Sequence, residues 1–248
     1  MTLILIIIFS VLGSVGAIVT AAIFLLFKEK TQKILIPCLI SYATGTLLAA
    51  ALLGLIPHSL KHITPFETLA TVLVGIIFFF LLEKIVIWRH CHNSECIEAH
   101  HNTAPMIIIG DAFHNFVDGV VIAASFLISV PLGIAIGVSI IAHEIPQEVG
   151  DFGILLHSGY SKKKALLLNT LSSLTTLPAA ILAYFALEKM HAITPYIMAI
   201  SAASFLYIAL VDLSPELHRK IGIAQNIRQI LLILAGIGTT LIVLQFHP

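Results

Sequence analysis

The sequence predicts an all-α, polytopic membrane protein with eight transmembrane helices, and composition is the first reason. The chain of 248 residues is 58% hydrophobic and 10% charged, whereas a typical soluble domain is roughly 25% charged. Its mean hydropathy of +1.04 leaves too little polar material to cover a water-facing surface. The apolar residues form continuous runs of the length that a helix needs to cross a bilayer, about 20 residues, without the alternation typical of barrel strands. A soluble enzyme, a disordered regulator and a nucleic-acid binder are therefore excluded.

The first apolar run is interpreted as a transmembrane helix and not as a signal peptide. No basic residue precedes it, and Lys28, Lys30 and Lys33 follow it. We treat residues 1–248 as one transmembrane domain with a loop at 89–103. The predicted spans are about 3–27, 34–58, 66–88, 104–128, 131–157, 164–187, 193–213 and 227–246.

The basic residues predict the topology. Loops after odd-numbered spans contain or adjoin eleven Lys and Arg residues, whereas loops after even-numbered spans hold only Lys61 and Lys189. Because basic loops stay in the cytoplasm, both termini are expected outside the cell or in an organelle lumen. The short loops and the absence of an extracellular domain favour the plasma (inner) membrane of a prokaryote.

A weak internal repeat relates the second and seventh spans. Pro37 and Pro57 lie twenty residues apart, as do Pro195 and Pro215, and each pair frames a helix rich in small residues. The two helices cross the membrane in opposite directions. We therefore predict a 3+2+3 arrangement with an inverted repeat, which is common in transporters.

Ionisable residues inside the membrane are costly, and here they concentrate in the fourth and fifth spans. In the fourth span, four polar residues share one helical face through i, i+3, i+4, i+7 spacing: Asp111, His114, Asn115 and Asp118. A second polar face lies on the fifth span, with Glu148 at its edge: His143, Glu144, Gln147 and Asp151.

The two polar faces are predicted to meet near mid-membrane, because the connection at 129–131 is very short. Asp118 lies twelve residues before Val130 and His143 thirteen after it, while His114 and Gln147 lie sixteen before and seventeen after. Imidazole, carboxylate and amide ligands without sulfur suit Zn²⁺, and also Fe²⁺ or Mn²⁺. The alternative is a buried hydrogen-bonded network that only ties the helices together.

The motifs of these spans resemble the ZIP (Zrt/Irt-like protein) metal transporters. His114–Gly119 reads HNFVDG and His143–Phe152 reads HEIPQEVGDF, close to the family branch with HNFxDG and HExPxExGDF. Stretches 45–48 and 55–58 resemble the second helix of that branch, and 205–212 resembles the seventh. The resemblance implies eight helices with both termini outside and transport of divalent metal, chiefly zinc, into the cytoplasm.

Position by position, the resemblance implies a primary metal site of His114, Asp118, His143 and Gln147. Asn115 and Glu144 match a second site that shares Asp118. Gln147 stands where many relatives have His or Glu, the sixth helix offers no carboxylate, and the second has Ala50 and Gly54 in place of Asp and His. One well-formed site is therefore expected, with zinc as transported substrate, Fe²⁺, Mn²⁺ or Cd²⁺ as alternatives, and no cofactor.

The predicted cytoplasmic loop is a second candidate metal-binding segment. Reduced thiols and imidazoles bind metal, but their spacing matches no closed zinc module, which favours an exchanging or metal-receiving role. A solvated loop enriched by chance is the alternative. Its candidate ligands are His90, Cys91, His92, Cys96, His100 and His101.

A carrier is favoured over enzymes. An intramembrane metalloprotease of the H-E-x-x-H type is rejected because Gln147 stands at the second His, and a membrane-embedded zinc-dependent hydrolase remains the alternative function. The expected partners are divalent metal ions, the lipid bilayer and, as an open alternative, a second copy in a homodimer; no nucleic acid is expected. Candidate pathway residues are Asp111, Glu148, Asp151 and Asp212.

Overall fold

The computed structural model describes residues 1–88, 104–190, 192–218 and 222–245, and every regular element in these ranges is helical. Each of its eight long helices contains a stretch apolar enough to cross a membrane, so the predicted number of spans is confirmed. The helices are α1 (Thr2–Phe24), α2 (Glu29–Leu60), α3 (Pro65–Trp88), α4 (Ala104–Ile128), α5 (Val130–His157), α6 (Lys162–Leu187), α7 (Thr194–His218) and α8 (Ile223–Gln245).

Two helix ends lie about five residues from their predicted positions. α2 begins at Glu29, which pairs with Lys33 at 2.5 Å. The favourable acidic residue in the first turn extends this helix beyond its apolar run. α7 continues through Pro215 to His218, because a wide π-helical turn over Ile208–Leu213 precedes the proline.

The same wide turn occurs in α2. Its π-helical segment Ala50–Leu55 begins thirteen residues after Pro37, and the segment of α7 begins thirteen residues after Pro195. Each segment ends two residues before the second proline of its pair. A proline has no N–H for the i−4 carbonyl, and a wider turn is one way in which the chain adjusts. This correspondence supports the inverted repeat, which stays a prediction.

The helix contacts follow a matching pattern. α2 packs extensively on α8 and α3 on α7, while α4 packs on α6 and α1 on α5. An inverted repeat would relate α1 to α6, α2 to α7, α3 to α8 and α4 to α5. Under this relation the α2–α8 contact corresponds to the α7–α3 contact, and the α4–α6 contact corresponds to the α5–α1 contact. The main core lies among the inner helices and contains Leu47, Ile122, Ile136 and Phe205, all fully buried.

Candidate metal centre

Four side chains of α4 and α5 converge in the interior of the helix bundle. α4 contributes His114 and Asp118, and α5 contributes His143 and Glu144. One ligand atom from each of them lies within 4.8 Å of the other three. Asp118, His143 and Glu144 are fully buried, and the side chain of His114 is 15% exposed. Short helical spacing on each helix and the short α4–α5 connection together bring these atoms to one depth.

Five of the six separations among these atoms, from 3.0 to 3.8 Å, are close to those of a tetrahedral zinc site. The two imidazole Nε2 atoms are 3.0 Å apart, and Nε2 of His143 is 3.2 Å from Oδ2 of Asp118. Nε2 of His114 is 3.4 Å from Oε1 of Glu144. The remaining imidazole–carboxylate separations are 3.7 and 3.8 Å. Ligands at zinc's usual bond lengths of about 2.0–2.1 Å stand about 3.3 Å apart in a tetrahedron.

The backbone fixes the orientation of His143. Its Nδ1 lies 2.9 Å from the carbonyl oxygen of Ser139, one turn earlier in α5. Because a carbonyl only accepts hydrogen bonds, the neutral ring carries its proton on Nδ1 and directs the Nε2 lone pair towards the cluster. The ring of Phe205 packs against this imidazole with centroids 6.1 Å apart. Such outer contacts hold a ligand ring in position and keep water away from it.

The two buried carboxylates of the cluster indicate a cation. Neither oxygen of Asp118 or of Glu144 has a hydrogen-bond partner in the described part of the chain, and the two imidazoles are their near neighbours. Two adjacent buried negative charges are costly unless they are compensated. A divalent metal ion held by two neutral imidazoles and two carboxylates balances the charge.

The structure does not bring Asn115 and Gln147 into this cluster. The Asn115 amide donates to Oδ1 of Asp111 at 2.9 Å, and its oxygen accepts from the Thr176 hydroxyl at 2.8 Å. The Gln147 amide donates to the same Asp111 oxygen at 3.1 Å. The sequence-based pairing of Gln147 with His114 is therefore wrong by about one helical turn. Gln147 lies opposite Asp111, while His114 lies opposite His143.

Hydroxyl groups of α6 contact α4 beside the site, which was not expected from the sequence. α6 is interrupted between Ser173 and Thr176, where Pro178 supplies no N–H to the preceding turn. At this interruption the Thr175 hydroxyl donates to the carbonyl of Ala112 at 2.8 Å. The only sequence signal was a proline beside a cluster of Ser and Thr residues.

A cavity of about 740 Å³ extends from Asp111 and His114 to the ends of α2, α3, α5 and α7 that adjoin the basic loops. Of the predicted pathway residues it includes Asp111, Asp151 and Asp212. Glu148 instead faces a separate cavity of about 350 Å³ between α1, α5 and α6. Glu83, absent from the sequence-based set, also lines the large cavity and accepts a hydrogen bond from Tyr207. The predicted ligands of the 89–103 loop lie outside the described residues.

Comparisons with known proteins relate the chain to one family. Residues 89–244, more than half of the chain, match the family described as ZIP zinc transporter. The chain is 36% identical over 149 residues to zinc transporter ZIP10 of Danio rerio, covering 57% of this chain and 18% of that protein. It is 37% identical over 139 residues to zinc transporter zipt-7.2 of Caenorhabditis elegans, covering 54% and 30%. With zinc transporter ZIP4 of Homo sapiens the identity is 41% over 112 residues, covering 45% and 17%.

The matched part of the chain therefore spans less than a third of the length of each of these relatives. All three are eukaryotic, so they give no support to the prokaryotic membrane expected from the sequence. They are named as transporters and not as enzymes. With eight apolar helices in its described ranges, this is a multi-pass integral membrane protein. From the extent of the family match, the chain belongs to the ZIP family.

Proposed function

We propose that this protein transports divalent metal, zinc foremost, from the outside into the cytoplasm. The observation that carries the proposal is the buried cluster of two imidazoles and two carboxylates, whose charge and spacing suit one Zn²⁺ ion. Ionisable groups at membrane depth commonly mark an ion pathway. The relatives named as zinc transporters support the same cargo.

Alternating access is the mechanism that we infer. The large cavity lies on the side of the basic loops, which the positive-inside rule assigns to the cytoplasm. On the opposite side of the cluster, Ile122, Ile136 and Ile140 are fully buried or nearly so. This conformation therefore corresponds to an inward-facing state. Metal would reach the cluster from outside only after the helices that carry these residues separate.

The acidic lining of the cavity suits the release of a cation. Asp111, Asp151 and Asp212 present carboxylates along it, so a departing metal ion passes from the cluster to successively more hydrated ligands. His114 is the one cluster member that also lines the cavity. The predicted His- and Cys-containing loop would receive the metal on the cytoplasmic side.

Metal uptake by the purified chain in liposomes tests this function. A zinc indicator trapped inside should report uptake, with Fe²⁺, Mn²⁺ and Cd²⁺ compared under the same conditions. We expect zinc to be transported and Asp118→Asn to remove the signal. Zinc uptake no faster than in empty liposomes, by protein that still binds zinc, would contradict the transport function and leave the binding site intact.

A further inference from the structure

We propose that Asp111 forms a second, transient position for the transported cation, and that Asn115, Gln147 and Thr176 position its carboxylate. The inference rests on the proposed function and deepens it. It also gives the two amides a role different from direct metal binding. The four-residue cluster is the holding site, and Asp111 is the next ligand on the cavity side.

The location of Asp111 fits a transfer step. It lies three residues before His114 on the same face of α4, about 4.5 Å along the helix axis. Both side chains line the large cavity, whereas Asp118 and His143 do not. An ion leaving two buried carboxylates needs replacement ligands close by, because dehydrated intermediate positions are costly. Asp111 is the nearest carboxylate along this face of α4.

The two oxygens of Asp111 have different surroundings. Oδ1 accepts hydrogen bonds from Asn115 at 2.9 Å and Gln147 at 3.1 Å. Asp111 is only 5% exposed, and yet its buried Oδ2 has no hydrogen-bond partner in the described residues. The nearby Ser172 hydroxyl donates to carbonyls of its own helix, at Leu168 and Asn169. One oxygen is thus held in place while the other remains available for a cation.

Three helices contribute to this arrangement. Thr176 of α6 donates to the oxygen of the Asn115 amide, which turns the NH₂ group of that amide towards Asp111. Gln147 of α5 supplies the second donor. An amide that uses its NH₂ group on a carboxylate and its oxygen on a hydroxyl has little capacity left for a metal. Asn115 is therefore a positioning residue in this state.

Cobalt binding to the purified full chain tests the position without relying on transport. Cys91, Cys96 and the four loop His residues are first replaced by Ser, which removes competing ligands. Tetrahedral Co²⁺ in the cluster should give intense visible d–d bands, and a second equivalent should bind at least about tenfold more weakly. Asp111→Asn should keep the first equivalent and its spectrum and abolish the second. Persistence of the second equivalent in Asp111→Asn, or loss of the first, would overturn the proposal.

The positioning residues are tested by the same spectrum together with uptake. Gln147→Leu and Thr176→Val should leave the Co²⁺ bands of the cluster unchanged while slowing zinc uptake by about tenfold, as expected for residues that orient a ligand. Thr170→Val is the matched control on α6, because the Thr170 hydroxyl donates to the Leu166 carbonyl of its own helix, and it should behave as the unmodified protein. Altered bands in Gln147→Leu would make that amide a direct ligand. Normal uptake by both variants would remove their positioning role.

If the unmodified protein transports no divalent metal, but the loop-substituted protein binds two Co²⁺ ions that respond to Asp111→Asn as described, only the proposed function fails. If it transports zinc and the second equivalent ignores Asp111→Asn, only the transient position fails. The two hypotheses therefore have separate outcomes.

Discussion

Among single side chains, Asp118 connects most of the candidate site. Its Oδ2 lies 3.2 Å from one imidazole and 3.8 Å from the other, and neither of its oxygens has another partner in the described residues. In the metal-free protein this carboxylate is buried beside a second one, Glu144, and only the two imidazoles lie near it. With metal bound, the same charge becomes part of the ligand set. The charge of Asp118 should therefore lower the stability of the metal-free protein and raise its affinity for metal.

We expect Asp118→Asn to weaken zinc binding by roughly 100-fold, about 2.7 kcal/mol, without destabilising the metal-free protein. The isosteric amide removes the buried charge and retains the volume. Calorimetric titration gives the affinity, and thermal unfolding with and without zinc gives the stability, since ligand binding raises the midpoint.

Glu148→Gln is the matched control for this substitution. Glu148 is equally buried and also has no hydrogen-bond partner among the described residues, but it faces the smaller cavity. It should retain zinc affinity. Equal loss of affinity in both variants would mean that the total negative charge of the buried carboxylates, and not ligation by Asp118, governs zinc binding.

Sequence spacing could predict which residues of α4 and α5 meet, but not the partners of the two amides. The i, i+3, i+4, i+7 pattern brings His114 and Asp118 onto one face, and the short turn brings His143 to their depth. The neighbour of Gln147 depends on the exact axial offset between α4 and α5. An error of one turn in that offset predicts His114 as its neighbour, whereas the structure has Asp111. Thr176 could not be anticipated, because its contact with Asn115 requires the interruption in α6.

At the level of helices, close backbone contacts explain glycines whose role the sequence left open. Gly119 follows Asp118 and packs against the carbonyl of Thr176, so that an added Cβ would overlap that oxygen. α6 can therefore approach α4 closely enough for its hydroxyl groups to reach Asn115 and Ala112. The prolines Pro57 and Pro215 were visible in the sequence, whereas the wide turns that carry α2 and α7 through them were not.

Gly119→Ala should destabilise the protein by about 1–3 kcal/mol, because the extra methyl group has no room against the α6 backbone. It should also slow zinc uptake by moving Thr176 away from Asn115. Gly110→Ala provides the comparison on the same helix, since its Cβ would meet no atom of the described part of the chain within 4 Å beyond its own stretch of helix. We expect that variant to be neutral or slightly stabilised. Unfolding in detergent and liposome uptake measure both effects, and equal behaviour of the two variants would rule out a close α4–α6 contact.

At the scale of the whole molecule, the separate roles proposed for the membrane cluster, which holds the ion, and for the 89–103 loop, which receives it, can be tested directly. Replacing the four His and two Cys of the 89–103 loop by Ser should leave zinc uptake largely intact and lower the number of metal ions bound per chain. The loop is predicted to lie in the cytoplasm, beyond the ion-holding cluster. Metal content by elemental analysis and uptake in liposomes are the measurements. Loss of uptake by a folded variant would make the loop part of the permeation route.

The orientation of the cavity is the remaining large-scale prediction, and cysteine accessibility measures it. Gly150 lines the large cavity, and a Cβ added there meets no atom of the described residues within 4 Å beyond its own stretch of helix. Lys61 is exposed in the connection between α2 and α3, which the distribution of basic residues assigns to the outside. Each is replaced by Cys in a background in which Cys38, Cys91 and Cys96 are Ser. In vesicles of defined orientation, a membrane-impermeant maleimide should label Gly150→Cys from the cytoplasmic side and Lys61→Cys from the opposite side.

Because the α4–α5 turn and the buried isoleucines separate the cluster from the outer surface in this state, outside reagent should reach Gly150→Cys only after the helices rearrange. Labelling of both cysteines from one side would place the cavity on the side of Lys61 and reverse the inferred inward-facing assignment.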